Sequence, residues 1–329
     1  MNFQYLAPID SGKALLDMAF KKAREKSNAK PISGEWLQII RQKESVKLDI
    51  VKDVLVSRLD KILKSFPTTK GLPDFYLKLM ELTLDYPGYK KSLGGVNWAI
   101  GKIRLLQKDY VSKISHAREK NTIKKVSAEF YGRVSSVIKQ VEKNLQYLGE
   151  CRRIMRTYPD IKEIFTVCIY GFPNVGKSTL LNKLTGSKAE VAAYAFTTKI
   201  INSGFFKIGD KKIQVLDVPG TLNRQEKMNN IELQADLVVK ELANIIVYVF
   251  DISEYCGYSF KKQEQLYKNL GRGKKVLIYL SKKDMLDEDT IAGFKHKHYS
   301  IEEIQEKIAS FVPKEVPVVK KEEEILPEE

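Results

Sequence analysis

The residues from Gly171 to Ser178 read GFPNVGKS and fit the pattern GxxxxGK[ST]. They follow the apolar run FTVCIY and precede TLLNKL. The spacing therefore predicts a strand, a glycine-rich loop and a helix, in that order. Such a loop turns backbone N–H groups inward around phosphate oxygens. Lys177 supplies a point charge to β- and γ-phosphates, Ser178 offers a hydroxyl to Mg²⁺, and the helix directs its positive end at the anion. Asn174, Val175, Gly176, Lys177, Ser178 and Thr179 form the expected phosphate-binding set. An ordinary strand-to-helix turn would have no packing use for the Lys-Ser pair.

Three further stretches follow in an order that belongs with such a loop. Asp217-Val218-Pro219-Gly220 fits DxxG at the end of the apolar run KIQVL. Its Asp can hold Mg²⁺ through water and its Gly N–H can sense a γ-phosphate. Between the two motifs lies YAFTTK, Tyr194 to Lys199, read as a polar loop. A threonine there, Thr197 or Thr198, completes the Mg²⁺ shell when the γ-phosphate is present. Ser178, Thr198 and Asp217 are thus the expected metal set, and Lys177, Thr198 and Gly220 the groups expected to act on the reacting phosphate. After the run KKVLIYL comes Ser281-Lys282-Lys283-Asp284, close to NKxD. Asp284 can accept from guanine N1–H and the exocyclic amine, an offer adenine cannot match. Lys282 can lay its stem along the base. Ser281 stands where Asn is usual, which predicts guanine preference with lower affinity. The stretch HKHYS offers Tyr299 and Ser300 as weak candidates behind the base.

These residues need a scaffold. From about Lys162, the β-rich runs FTVCIYG, KIQVLDV, NIIVYVFD and KKVLIYL alternate with helical ones, the pattern of a mostly parallel sheet with helices on both faces. The first half reads helical. Asp10 or Ser11 can cap a first segment, and a longer helix runs from about Glu35 to Phe66. Pro73 opens a short helix, and two long helices follow, from about Tyr89 to Ala117 and from about Thr122 to Arg156. The expected fold is an N-terminal all-α helical bundle followed by an α/β P-loop GTPase domain. The expected domains are 1–160, 161–312 and a disordered acidic tail, 313–329.

The chain of 329 residues carries a net charge of +15. From Gly95 to Asp160 there are fourteen Lys and Arg against six Asp and Glu. Arg118, Lys120, Lys124 and Lys125 sit at the turn between the long helices, and Arg152, Arg153 and Arg156 at the far end. Such a surplus favours polyanions, while a solvated bundle face explains it with equal ease. Tyr110, Phe130 and Tyr131 lie near the turn, where core packing accounts for them as well as nucleic-acid contact does. Three scattered cysteines and three histidines match no disulfide or zinc pattern. No apolar run approaches the roughly 20 residues of a membrane-spanning helix. The chain is expected in the cytoplasm, as a monomer.

GFPNVGKSTLLNKLT, YAFTTK, DVPGTL and DISEYCGYSFKKQ resemble the nucleolar GTP-binding protein family, the Nog branch of the Obg-like GTPases. NFQYLAPI, LDYPGYKKSLGGVNWAI and QKDYVSKI in the helical half are similar too. The likeness is to a short, archaeal-like form. It implies GTP/GDP as ligand, GTP hydrolysis, and partnership with the pre-ribosomal large subunit and its ribosomal RNA. Ras-like proteins place a Gln after the DxxG glycine to orient water, whereas this chain has Thr221 and then Leu222. Slow turnover, stimulated by a partner, is expected, with Arg224 a weak candidate for neutralising charge. Relatives lacking the Gln can use K⁺, and Asn174 stands at the position that coordinates it. Two other readings compete: a nucleotide-binding scaffold with vestigial hydrolysis, and an NTPase acting on other RNA or protein.

Overall fold

The computed structural model describes residues 3–29, 34–68, 71–159, 161–186, 192–196, 199–218, 230–270 and 273–313. The acidic stretch from 314 onward, Thr197, Thr198 and the segment from Pro219 to Asn229 lie outside them. The chain divides into two compact units between Ile161 and Lys162.

Among the described residues the first unit has the α-helices α1 (Gly12–Ala29), α2 (Trp36–Ser65), α3 (Asp74–Thr83), α4 (Tyr86–His116), α5 (Lys120–Gln140) and α6 (Glu142–Met155). Their buried stripes recur at helical spacing: Leu48, Val51, Leu55, Leu59 and Ile62 on α2, and Val96, Ile100 and Ile103 on α4. Ser11 caps α1, its hydroxyl accepting from the Ala14 N–H at 3.2 Å. α4 starts three residues before the expected Tyr89, so that Pro87 and Gly88 lie in its first turn. Asp85 caps that turn by accepting from the Gly88 N–H, and Pro tolerates the position because no intrahelical donor is needed there.

The second long helix is in fact two. At Val141 (φ −98°, ψ 5°) the backbone leaves helical values, and its N–H bonds back to the Ile138 carbonyl, three residues away, at 3.2 Å. The Val141 carbonyl then accepts from Leu145 N–H to start α6. The break buries Val141 and places Glu142 at the first position of α6. The Glu142 carboxylate accepts the Gly12 N–H at 2.9 Å, so one acid stabilises the N-terminal ends of two helices. A side chain at Gly12 would fall on that carboxylate. Tyr110 and Phe130 are both buried, with ring centroids 5.8 Å apart, and Tyr131 packs on Phe20 at 5.1 Å. These aromatics serve the core.

The second unit is built on a six-stranded sheet in the order β2-β3-β4-β1-β5-β6. Its strands are β1 (Thr166–Tyr170), β2 (Ala192–Phe196), β3 (Lys199–Ile208), β4 (Lys211–Asp217), β5 (Ile245–Phe250) and β6 (Lys275–Leu280). β1 pairs in parallel with β4 and β5, β5 with β6, and β3 runs antiparallel to β4. The helices are α7 (Lys177–Thr185), α8 (Asn230–Leu242), α9 (Phe260–Lys268), α10 (Glu288–Ala292) and α11 (Ile301–Phe311). The four strands read from sequence are present. The YAFTTK stretch, read as loop, instead carries the end of β2 and the start of β3. Gly209-Asp210 closes the β3–β4 hairpin, with Gly209 at φ 58°. β4 and β5 flank β1 on opposite sides, so the chain switches direction there and a crevice opens at the strands' C-terminal ends.

Candidate nucleotide site

The C-terminal ends of β1, β4, β5 and β6 lie along one edge of the sheet. β1 is buried along its whole length, which fixes the start of the loop Gly171–Gly176. This loop winds through three residues of positive φ: Gly171 (152°), Asn174 (62°) and Gly176 (93°). Such turns bring successive N–H groups to one concave side. Gly176 caps α7. Asn174, Ser178 and Thr179 are exposed and Val175 is buried. Lys177, only 8% exposed, folds back so that its Nζ donates to the Phe172 carbonyl at 2.7 Å. Its ammonium is therefore held within the loop by an acceptor that phosphate oxygens can replace.

Asp217, the last residue of β4, lies in register with Ile169 of β1 and Asn202 of β3. The Ser178 hydroxyl donates to its carboxylate. Burial raises the Asp217 carboxyl above its ordinary value, although Ser178, Lys177 and Asn202 oppose the shift. A desolvated carboxylate beside a hydroxyl is a hard-oxygen donor pair that calls for a cation, and the pair fits Mg²⁺. Thr197, Thr198, Gly220, Thr221 and Arg224 lie outside the described residues.

The loop after β6 carries Ser281, Lys282 and Asp284. Ser281 is buried, and both its N–H and its hydroxyl donate to the Phe250 carbonyl, at 2.9 and 3.0 Å. Its Cβ stands 3.5 Å from the position a Cβ would take on Gly176. Ser281 thus ties β6 to β5 directly against the phosphate loop. Asp284 is exposed, in the 3₁₀ turn Lys283–Met285. Tyr299 N–H donates to the Ile278 carbonyl, while Ser300 and Glu303 form a reciprocal cap on α11.

One acid went unread as a site residue. Asp251, directly after β5, has no exposure, and its carboxylate accepts from the Ser253 N–H at 3.1 Å, the Ser253 hydroxyl, the Cys256 N–H at 2.8 Å and Lys282 Nζ at 2.7 Å. The Gln263 side chain pins the same loop from behind. It accepts from Asp251 N–H and donates to the carbonyls of Asp251 and Tyr258. Asp251 therefore aims Lys282, whose stem was assigned to the base. The signal was present in sequence: an Asp ending an apolar strand, with Ser two residues on, forms a local turn. Burial alone would push the Asp251 carboxyl up, but Lys282, Ser253 and Cys256 outweigh it and hold it below the ordinary carboxylate value. The folded carboxyl is thus the stronger acid. Its contribution to stability is present above about pH 4 and lost as pH falls through the lower folded value. Asp251→Asn should lower the unfolding temperature at neutral pH and flatten its dependence on acid below about pH 4. Parallel acid-unfolding curves for the two proteins would remove this role.

Residues 3–162 match the family described as NOG1 N-terminal helical domain, and residues 166–282 match 50S ribosome-binding GTPase. An uncharacterized protein of Methanocaldococcus jannaschii is 38% identical over 259 residues, covering 78% of this chain and 73% of that one. Nucleolar GTP-binding protein 1 of Drosophila melanogaster is 31% identical over 295 residues, 88% of this chain and 45% of its own length. The Encephalitozoon cuniculi protein of that name is 32% identical over 289 residues, 87% and 55% respectively. The chain spans about half the length of these two relatives. Fold and site define a P-loop GTPase, a GTP- and GDP-binding α/β domain, preceded by a helical domain. The chain belongs to the nucleolar GTP-binding protein family.

Proposed function

We propose that the chain is a slow GTP switch in assembly of the large ribosomal subunit, with its basic helical unit docking on ribosomal RNA. The observation that carries the nucleotide half is the convergence of Lys177, Ser178, Asp217 and Ser281 at one end of the sheet. Hydrolysis adds water to the γ-phosphorus and breaks its bond to the β-bridging oxygen, giving GDP and phosphate. Lys177, released from the Phe172 carbonyl, offsets the charge that develops on the phosphoryl oxygens. Ser178, Asp217 and Thr197 or Thr198 would hold Mg²⁺, which when bound neutralises β- and γ-phosphate charge. The N–H groups of Asn174 to Thr179 orient the phosphates, and the Gly220 N–H reads the γ-phosphate. Thr221 lacks an amide to orient the attacking water, which supports slow intrinsic turnover. Asn174, exposed at the loop's tip, is the position to supply oxygen to K⁺ in place of an arginine. Hydrolysis should run several-fold faster in KCl than in NaCl, and equal rates would exclude that role.

Asp284 reads guanine while Lys282, braced by Asp251, covers the base. Calorimetry with GDP, GTP, ADP and ATP in the presence of Mg²⁺ tests this. Guanine nucleotides should bind clearly more tightly. Ser281→Asn, which adds an amide able to reach the adjoining phosphate loop, should tighten them about five-fold, the worth of roughly one hydrogen bond. Adenine nucleotides binding equally well would move the reading to a less selective NTPase. GTP binding without turnover, even with precursor subunits, would leave a nucleotide-gated scaffold. Docking on RNA is supported by the exposed Arg118 in the turn between α4 and α5 and by the exposed Lys120, Lys124 and Lys125 at the start of α5. Phosphate contacts of this kind weaken steeply with salt.

A further inference from the structure

The aromatics nearest the basic turn in sequence are core residues, yet the fold brings another aromatic to that turn. Trp36, the first residue of α2, is 61% exposed. Lys120 Nζ lies 5.2 Å from the centre of its ring. The juxtaposition is held by Arg41, one helical turn further on, whose Nε and Nη2 donate to the Ala117 carbonyl at 2.8 and 2.6 Å. Ser127 of α5 donates to Glu44 of α2 at 2.7 Å, fixing the next turn. A large indole is thus fixed in the open beside a cluster of cations. Tryptophan is among the more buried residue types on average, and an exposed indole loses the contacts that make it worth placing.

We infer that Trp36 is a stacking platform for an unpaired base of RNA whose phosphates lie on Lys120, Lys124 and Lys125. This rests on the proposed docking of the helical unit on RNA and adds how the tip selects single-stranded over paired segments. Cations alone hold phosphates of any nucleic acid. An open aromatic face is of use only to a base that has left its stack. Lys120, whose ammonium lies over one face of the ring, completes the arrangement by moving to the phosphate next to that base and leaving the face to it. Glu35 and Glu119 are the exposed acids nearest in sequence, and the four basic residues of the turn outnumber them.

The chain has two tryptophans, Trp36 and Trp98, so indole emission can be assigned. In the Trp98→Phe variant, Trp36 is the only indole emitter, selected by exciting beyond the tyrosine absorption band. Titration with a short oligoadenylate should quench it in step with binding, and a fully paired RNA duplex of equal length should quench it far less. Trp36→Ala should weaken oligoadenylate binding roughly 5- to 100-fold without changing its salt dependence, while Trp36→Phe should retain most of the affinity. Lys124→Glu with Lys125→Glu should instead flatten the salt dependence. Circular dichroism of each variant checks the fold. Binding of oligoadenylate with unchanged Trp36 emission and unchanged Trp36→Ala affinity would overturn the platform and leave the basic tip as an RNA contact. Equal binding of poly-glutamate would assign the tip to acidic protein segments. No binding of any RNA would remove both the platform and the docking it rests on.

Discussion

Lys177→Ala should lower single-turnover GTP hydrolysis by roughly 10²- to 10³-fold, the usual cost of removing one charge-stabilising donor from a transition state. The geometry explains why the loss falls mainly on chemistry. In the described structure the ammonium is bonded to a backbone carbonyl of its own loop, so the loop already holds a position for it. Without the ammonium, the phosphates keep the N–H groups of the loop and the end of α7. GDP affinity should therefore fall much less than the hydrolysis rate. Measuring phosphate release from pre-bound GTP separates the two effects. A variant within ten-fold of the native rate would mean that Lys177 does not stabilise developing charge, and would favour the scaffold reading.

The second large effect is expected at Gly171. A Cβ there would stand 2.8 Å from the Val249 carbonyl oxygen and 3.3 Å from Val175 Cγ2, at a φ of 152°. The first neighbour is backbone near the C-terminal end of β5 and cannot rotate away. Gly171→Ala should cost about 3 kcal/mol or more, combining overpacking with an unfavourable dihedral. For a domain of this size that lowers the unfolding temperature by roughly 6–12 °C. Nucleotide affinity should drop as well, because relief of the clash must move either the phosphate loop or β5. Saturating GDP should recover part of the lost stability by mass action. An unchanged unfolding temperature would show that the loop can shift at little cost.

The sheet's parallel strands were legible because they are buried on both faces and read as unbroken apolar runs. β3 was not, because KIINSGFFKI mixes polar and apolar residues as a strand near the sheet edge does, although Gly209-Asp210 marks its hairpin. The phosphate loop could be read residue by residue, since its chemistry is carried by backbone and by two adjacent side chains. Asp251 was hidden because its role is to position Lys282, and no sequence spacing connects residues 31 apart across two strands. The division of the second long helix was likewise invisible. Val141 fits the apolar period of a continuous helix, and only the distant Gly12 explains why Glu142 should begin a new one. Trp36 joined the basic turn through hydrogen bonds spanning 76 residues, from the Arg41 guanidinium to the Ala117 carbonyl.

The bond between Gly12 and Glu142 bears on how the helical half is made. It is one of several ties between the beginning and the end of that half: Arg152 Nε donates to the Leu6 carbonyl, and Gln4 Nε2 donates to the Arg156 carbonyl. During synthesis, α1 can form early, but its Gly12 N–H has no Glu142 carboxylate to bond until α6 begins to form. Closure of the bundle waits for its final residues, and these come just before β1. The helical half can therefore finish folding while the nucleotide-binding half is still being translated. A stall within α6 would leave an open bundle with its apolar stripes uncovered, and chaperone capture of nascent chains should peak at those lengths.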